Sequence, residues 1–381
     1  MKHIMKISLP VIIAVLFIHA AGYTQISMVN TIESGGISRS YRIYVPEIYD
    51  VTQPTPLVLN LHGLGSNALE QEYYGDFRPI ADTANFIIVT PDGTDSGAGG
   101  QFWNAFGFSS PDDVGFILDL IDEVSSGYTI DQSRIYSTGM SNGGFMSYTL
   151  ACELSSRIAA IASVTGTMTT FQSASCTPSH PMPVMQIHGT ADATVPYAAS
   201  ATFMGIEDLV NYWVDFNNCN QEPVFEALED INTADNCTAE HFVYDGGAQG
   251  STVELYKIIG GGHSWPGAFV NINTTNMDFN ASKEIWRFFS QFDLDQLTSI
   301  SERVTENNDL LIYPNPTENE FMIKLQSGRP SVLSVYNEVG SLIMQSNVSS
   351  DMFRLNLETP GVYVVSVKTE DQVLSKRIVK Y

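Results

Sequence analysis

The sequence predicts an α/β fold, a mostly parallel sheet with helices on both faces, followed by a small all-β sandwich. From about residue 41, short and continuously apolar runs alternate with helical stretches. Continuous runs are typical of strands that are buried on both faces. From residue 310 onward, short segments instead alternate apolar and polar residues between turn residues, which is typical of an antiparallel sandwich.

Apolar runs and helical periodicity predict the strands and helices of the α/β part of the chain. In DDVGFILDLIDEV (112–124), apolar residues recur at helical spacing, and IEDLVNYWVDF (206–216) repeats the pattern. Strands that alternate with helices in this way predict a sheet covered on both sides. Seven runs are predicted as strands: YRIYVP (41–46), PLVLNLHG (56–63), NFIIVTPD (85–92), RIYSTGMS (134–141), IAAIASVTG (158–166), PVMQIHGT (183–190) and VELYKIIGGG (253–262).

The first residues have the pattern of a secretory signal. Lys2 and Lys6 precede a short apolar run, which ends in small residues at positions 20–22. The run is too short for a comfortable membrane span, although an uncleaved anchor is the alternative. The predicted organisation is a signal peptide over 1–24, an α/β domain over 25–295, a polar linker over 296–309 and the sandwich over 310–381. After removal of the signal peptide, no membrane span is expected.

Charge limits the classes of partner. The chain has 381 residues with 42 acidic and 18 basic side chains, a net charge of −24. Such a surface repels nucleic acids and anionic membranes. The composition therefore favours a neutral substrate or partner and excludes a nucleic-acid-binding function.

The chain has four cysteines, which fit an exported protein. Four cysteines allow three pairings. Pairing Cys152 with Cys176 and Cys219 with Cys237 closes the two shortest loops and is the favoured interpretation, with free buried thiols as the alternative. Neither spacing resembles a zinc site.

A short glycine-rich stretch carries the candidate nucleophile. Residues 139–143 read GMSNG and stand between a predicted strand and a predicted helix. At such a junction, glycines flanking Ser141 permit a tight, strained turn that exposes the hydroxyl at the edge of the sheet. The amides at the start of the following helix favour a developing anion at the same place. The alternative is that Ser141 only caps the helix.

Two later loops supply the partners of a nucleophilic serine. Asp192 follows a strand in QIHGTADATVPY, and His263 follows the last apolar run in IIGGGHSWPG. The chain order Ser, Asp, His is that of the α/β-hydrolase fold. A turn role for Asp192 is the alternative, and His263 is favoured over the other histidines as the base.

Other residues are candidates for binding substrate. The amides of Leu64, in LHGLGSN, and of Asn142, directly after the serine, are candidate donors to an oxyanion, with an ordinary turn as the alternative for the LHGLGSN loop. Trp103, Trp265 and His62 stand beside these motifs and are candidates for substrate contact, with the bracing of loops as the alternative.

These motifs together resemble a known family. LHGLGSN, VTPDG, WN, DDVGFI, GMSNGG, HGTAD and GGGHSWPG occur in the order found in secreted polyhydroxybutyrate-depolymerase-like esterases, which are grouped with feruloyl and acetylxylan esterases. The resemblance covers about residues 35–290. It implies an α/β-hydrolase fold, a triad of Ser141, His263 and Asp192, and no metal or other cofactor. Asp113, in DDVGFI, is interpreted as a helix cap.

The C-terminal segment has a resemblance of its own. YPNP and the final GVYVVSVKTEDQVLSKRIVKY are similar to the type A sorting domain of type IX secretion. This implies Sec export followed by passage through the type IX machinery, to release or to attachment at the outer cell surface. A carbohydrate-binding sandwich is the alternative.

The expected function is therefore that of a secreted serine ester hydrolase. Its expected substrate is a polymeric or oligomeric ester of the plant cell wall, as for feruloyl or acetylxylan esterases. A polyhydroxyalkanoate depolymerase is the main alternative. A serine peptidase and a non-catalytic surface adhesin are weaker ones.

Overall fold

The structure, a computed structural model, describes residues 27–97, 99–107, 110–270, 273–299, 310–317, 320–325, 331–337, 340–348, 352–368 and 373–381. The chain divides into two compact units, Met1–Ser299 and Ile300–Tyr381. The predicted signal peptide and residues 300–309 of the predicted linker lie outside the described residues. Within the described part of the chain, no helix is long and apolar enough to cross a membrane.

The first unit is built on a large sheet, and each of the seven predicted runs forms one of its strands. The strands of this unit are β1 (Met28–Ser34), β2 (Ile37–Tyr44), β3 (Thr55–Leu61), β4 (Ile87–Pro91), β5 (Thr94–Asp95), β6 (Gln101–Phe102), β7 (Ile130–Met140), β8 (Ala160–Val164), β9 (Val184–Gly189), β10 (Val224–Ala227), β11 (Thr238–Tyr244) and β12 (Val253–Ile259). Ten of them pair in the order β1-β2-β4-β3-β7-β8-β9-β12-β11-β10, while β5 and β6 form a separate hairpin. From β4 to β12 in this order the strands are parallel, and the two strands at each edge are antiparallel.

Helices cover both faces of this sheet. They are α1 (Ala68–Tyr74), α2 (Arg78–Ala84), α3 (Asp113–Gly127), α4 (Asn142–Glu153), α5 (Thr170–Ser175), α6 (Ile206–Asn217), α7 (Ala281–Phe289) and α8 (Leu294–Thr298), with a 3-10 turn at Ala248–Gly250. Successive side chains of β3 point to opposite faces of the sheet and pack in two different cores. Leu57 and Leu59 pack with α3, α4 and α6, whereas Val58 packs with α2, α7 and α8. The predicted fold class is confirmed, and the predicted helices are α3 and α6.

The start of α3 differs from its predicted capping. Asp112, not Asp113, is the N-cap, and its side chain accepts a hydrogen bond from the Gly115 amide. Asp113 is buried one residue further on and pairs with Arg39 at 2.8 Å. The interpretation of Asp113 as the cap is therefore wrong, because its carboxylate turns into the protein to meet a buried guanidinium.

The second unit is a sandwich of two antiparallel sheets, as predicted. Its strands are β13 (Leu310–Tyr313), β14 (Glu320–Leu325), β15 (Ser331–Asn337), β16 (Leu342–Val348), β17 (Met352–Asn356), β18 (Gly361–Lys368) and β19 (Val373–Lys380). One sheet has the order β13-β14-β17 and the other the order β16-β15-β18-β19. Phe321 and Ile323 of the first sheet share a core with Val365 and Val367 of the second.

Only one of the two predicted disulfides forms. Cys152, in α4, is bonded to Cys176 after α5, whereas Cys219 and Cys237 are free and buried. The predicted pairing of Cys219 with Cys237 is wrong because the sheet separates them. Cys219 belongs to the core that contains Leu57, and Cys237 belongs to the core on the opposite face.

Candidate active site

Ser141 stands alone between β7 and α4 in a strained backbone conformation. Its φ is 54° and its ψ is −116°, in a region that residues with a side chain rarely adopt. Backbone hydrogen bonds hold it on both sides. Its amide donates to the Val164 carbonyl over 2.8 Å, and its carbonyl accepts from the Phe145 amide over 2.9 Å. The strain is therefore maintained by the strand beside it and the helix after it.

Two glycines make this turn possible by close approach. A Cβ on Gly143 would lie 2.1 Å from the Leu61 carbonyl oxygen, and a Cβ on Gly139 would lie 2.6 Å from that same atom. Real Cβ atoms do not come so close to backbone atoms. The start of α4 can therefore pack directly on the end of β3, and any side chain at either glycine would push Ser141 outward.

Asp192 lies in the loop after β9 and is held by three hydrogen-bond donors. Its Oδ1 accepts from the amides of Thr194 and Val195, over 2.8 and 2.9 Å. Its Oδ2 lies 2.7 Å from Nδ1 of His263. Burial alone would raise the pKa of this carboxyl group, but the hydrogen bond and charge of His263 and the Val195 amide outweigh it. The net pKa of Asp192 lies below its ordinary value of 3.8, so the carboxylate is charged at neutral pH.

His263 lies in the loop after β12 and connects the carboxylate to the cavity. Its side chain is 12% exposed, whereas that of Asp192 is fully buried. Because Nδ1 donates to the carboxylate, Nε2 is the ring nitrogen left to accept a proton. His263 and Ser141 line the same cavity.

Buried His188 contacts Asp192 and the loop that holds it. Its Nε2 contacts the Val195 carbonyl at 2.8 Å and lies 3.4 Å from Oδ2 of Asp192. Its Nδ1 lies 3.0 Å from the side-chain amide of Gln186. Burial lowers the pKa of His188 to about 4, so the ring is neutral and Nε2 carries the proton that the Val195 carbonyl accepts.

The cavity beside Ser141 has a volume of about 490 Å³, within the range of small-molecule sites. Leu64, Tyr73 and Val270 contribute exposed apolar surface, at 67%, 54% and 44% exposure. The cavity is lined by Gly63, Leu64, Gly65, Ser66, Glu70, Tyr73, Tyr74, Met140, Ser141, His263 and Val270.

The loop after β3 reaches the serine, as an oxyanion site requires. A Cβ on Gly63 would lie 3.5 Å from the Cβ of Ser141. Leu64 follows directly and lines the cavity, and Asn142 is the first residue of α4. The two residues that were predicted to donate their amides thus lie beside Ser141, and their role as donors stays a prediction.

The three side chains predicted to contact substrate do not reach the cavity. Trp103 and Trp265 are each 1% exposed, and His62 is fully buried. Trp265 donates from Nε1 to the Ser282 hydroxyl over 3.2 Å, and the His62 ring bonds to Gly63 and Gly93. The predicted substrate contacts are therefore wrong, and the alternative of loop bracing describes all three.

Sequence reasoning missed the contribution of α1 to the cavity. Tyr73 and Tyr74 come from the end of this helix, and the Tyr74 hydroxyl lies 3.1 Å from that of Ser66 and 3.4 Å from the Gly63 amide. The available signal was the helix cap Asn67 in LHGLGSN, whose side chain accepts from the Glu70 amide. Such a cap starts a helix at the mouth of the site.

A metal site is not formed by the described residues. Within those ranges, no three His, Cys, Asp or Glu side chains lie close enough together to hold a metal ion. The polar side chains brought together here are a strained serine, a histidine bonded through Nδ1 and the buried carboxylate that it is bonded to.

The sheet order, with Ser141, Asp192 and His263 each in a loop after a parallel strand, is that of an α/β-hydrolase fold. Residues 112–223 match the phospholipase/carboxylesterase family, and this segment includes Ser141 and Asp192. Residues 311–381 match the secretion system C-terminal sorting domain. This confirms the predicted sorting domain and indicates export by type IX secretion.

Named esterases are similar to more than half of the chain. The chain is 26% identical to a bifunctional acetylxylan esterase/xylanase of Neocallimastix patriciarum, over 70% of this chain and 35% of that protein. It is 29% identical to feruloyl esterase B of Piromyces equi, over 59% and 42%. It is 28% identical to feruloyl esterase D of Neurospora crassa, over 69% and 85%. The chain spans less than half the length of the first two of these relatives. The predicted resemblance to feruloyl and acetylxylan esterases is confirmed.

Proposed function

We propose that this protein is a secreted carboxylic ester hydrolase in which Ser141 is the nucleophile, His263 the base and Asp192 the residue that orients the base. The observation that carries the proposal is the strained Ser141 at the head of α4, in one cavity with a histidine whose Nδ1 is bonded to a buried carboxylate. This arrangement fits acyl transfer through a covalent intermediate.

In the first step, Nε2 of His263 takes the proton of the Ser141 hydroxyl as its oxygen bonds to the ester carbonyl carbon. The carbonyl oxygen becomes an oxyanion, and the charge that forms on the imidazole is stabilised by Asp192. Collapse of this intermediate breaks the bond to the alcohol, which leaves with the proton from His263. Water then repeats the sequence on the acyl-enzyme and releases the acid.

The amides of Leu64 and Asn142 are the proposed donors to the oxyanion. Both stand next to the serine, one on the loop after β3 and one at the first turn of α4. The helix start adds a partial positive charge at the same place. Donors fixed in this way stabilise charge only as it develops, which is the requirement for lowering the barrier.

The proposed substrates are plant cell-wall esters of the feruloyl or acetylxylan type. The named relatives support this class. The apolar cavity beside Ser141 favours an aromatic acyl group, since an acetyl group would leave most of its 490 Å³ empty. The exposed ring of Tyr73 at the wall can stack on a phenolic ring.

The test is hydrolysis of a p-nitrophenyl ester by the wild type and by Ser141→Ala, with labelling by a fluorophosphonate. We expect the change to lower kcat by at least about 10³-fold and to abolish labelling. Activity at the wild-type level would overturn the proposal. Release from methyl ferulate, acetylated xylan and polyhydroxybutyrate by one purified sample then separates the substrate classes, and digestion of casein would indicate a peptidase.

A further inference from the structure

We propose that Trp103 is a positioning residue that fixes the separation of the two oxyanion-hole amides, those of Leu64 and Asn142. The inference rests on the proposed function, because it assigns those amides to the oxyanion. Trp103 is buried and does not line the cavity. It nevertheless contacts both segments that carry the donors, one through its indole and the other through its backbone.

The indole of Trp103 holds the loop after β3. Its Nε1 donates to the His62 carbonyl over 3.0 Å. The His62 ring then fixes the next peptide, because its Nε2 accepts from the Gly93 amide over 2.9 Å and its Nδ1 lies 2.7 Å from the Gly63 carbonyl. Since Nε2 is the acceptor, Nδ1 carries the proton and donates to Gly63.

That last bond sets the direction of one donor. The Gly63 carbonyl and the Leu64 amide belong to the same planar peptide, and in a trans peptide they point to opposite sides. Holding the carbonyl on the His62 ring therefore holds the Leu64 N–H in the opposite direction. Burial lowers the pKa of His62, which keeps the ring in the neutral form that this arrangement needs.

The backbone of Trp103 holds the second donor. Its amide donates to Oδ1 of Asn142 over 2.7 Å, and its carbonyl accepts from Nδ2 of the same side chain over 3.1 Å. The paired bonds fix the orientation of Asn142, whose own amide follows Ser141. A single residue thus makes three hydrogen bonds that span the gap between β3 and α4.

Packing behind the ring keeps Trp103 in place. The indole stacks on Phe116 of α3, with ring centroids 6.4 Å apart and planes 13° apart, and the Arg39 guanidinium lies 5.9 Å from its centroid. The next residue, Asn104, donates its amide to buried Asp113 over 2.7 Å. The buried pair of Arg39 and Asp113 therefore supports Trp103, Arg39 through the indole and Asp113 through the amide of Asn104.

The test compares Trp103→Phe with Trp213→Phe. The first change keeps an aromatic ring and removes the Nε1 hydrogen bond to His62. The second is a matched control, because Nε1 of Trp213 is also buried but has no hydrogen-bond partner among the described residues. Each variant is assayed for kcat and KM with an aryl ester. Each is also titrated with an aryl trifluoromethyl ketone, which forms a tetrahedral adduct with the serine.

For Trp103→Phe we expect kcat to fall about 10-fold to 100-fold with KM within about twofold, since losing one donor outright costs about 10² to 10³. Affinity for the ketone should fall by the same factor. For Trp213→Phe, both quantities should stay within about twofold of the wild type. A Trp103→Phe variant that matches this control, or that loses kcat but keeps its affinity for the ketone, would overturn the inference.

A second variant covers the case in which Trp103→Phe does not fold. Asn142→Ala removes the two side-chain bonds to Trp103, keeps the Asn142 amide and changes a partly exposed residue at the start of a helix. The same parallel loss of kcat and of affinity for the ketone is expected, and wild-type values would again overturn the inference. If Ser141→Ala kept its activity, the proposed function itself would fail instead.

Discussion

Nδ1 of His263 donates to Oδ2 of Asp192 over 2.7 Å, although the two residues are 71 positions apart in the chain. Their loops meet because β9 and β12 are parallel neighbours in the sheet and both loops follow carboxyl ends. In open parallel sheets such ends share one edge, where sites form. The bond engages Nδ1 and holds the ring, and His263 lines one cavity together with Ser141.

Asp192→Asn should lower kcat for a p-nitrophenyl ester on the order of 10⁴-fold. The new amide can donate to Nδ1 and thereby place the proton on Nε2, where it cannot accept one from the serine. The thermal melting temperature serves as the check that the variant is folded. A loss of less than tenfold in a folded variant would show that the carboxylate does not orient the base.

Gly143→Ala should destabilise the first unit by about 1 to 3 kcal/mol and lower kcat. Its Cβ would lie 2.1 Å from the Leu61 carbonyl oxygen, so either β3 or α4 must move. Gly127→Ala is the matched control, because a Cβ there meets nothing within 4 Å, and it should be neutral or slightly stabilising. Urea unfolding of both variants measures the difference, and equal effects would contradict the close packing at Ser141.

Arg287→Met should destabilise the protein at pH 7 by about 1 to 3 kcal/mol, less than for a fully buried pair because Arg287 is partly exposed. Its guanidinium bonds to buried Glu254, which also accepts from His241 over 2.8 Å. Burial would raise the pKa of Glu254, but the hydrogen bonds from His241 and Arg287 bring it below 4.5.

The pH dependence of this effect follows from the lowered pKa of Glu254. A carboxyl group whose pKa is lower in the folded state than in the unfolded state stabilises the fold when the pH is above the unfolded-state pKa. This stabilisation is lost as the pH falls through the folded-state pKa. The gap between wild type and Arg287→Met should therefore shrink below about pH 4.5. Arg157→Met, whose partner Asp122 is 62% exposed, is the control and should change the stability by less than about 1 kcal/mol. A gap that widens in acid would refute this assignment.

Tyr73→Ala should raise KM for methyl ferulate about 3-fold to 10-fold and leave the hydrolysis of p-nitrophenyl acetate nearly unchanged, because only the aromatic acyl group can stack on the lost ring. Tyr73 is 54% exposed at the cavity wall, so the fold should tolerate the change. Phe171→Ala, which removes a ring that is 72% exposed elsewhere, is the control. An equal effect on both esters would argue against an aromatic acyl pocket.

The sequence predicts the fold class well because the central strands are continuously apolar. Every residue of β3, β4 and β8 is buried. Their apolar runs can therefore be recognised without knowing which face of the sheet each side chain is on. The edge strands were not predicted. Each residue of β10 is exposed, which leaves no apolar run to recognise, and β1 is exposed over most of its length.

The site was predictable where a motif constrains the backbone, and less so where only a side-chain direction matters. The glycines around Ser141 mark a tight turn whatever surrounds it. Trp103 and Trp265 stand beside such motifs, but an aromatic residue is equally suited to a core and to a cavity wall. Their burial depends on neighbours such as Phe116 and Phe77, which lie outside these motifs. The error with Cys219 and Cys237 is similar, since loop length says nothing about the face of the sheet.

The free thiols of Cys219 and Cys237 lie in the cores on opposite faces of the sheet, so each can be used to follow the opening of one core. Burial is the main factor that raises the pKa of Cys219 to about 11 and that of Cys237 to about 12, so a thiol reagent reacts with neither until the surrounding layer opens. The other two cysteines are joined in a disulfide. The rate at which a thiol reagent labels each free cysteine in the native protein would therefore measure how often each layer opens, without an engineered cysteine.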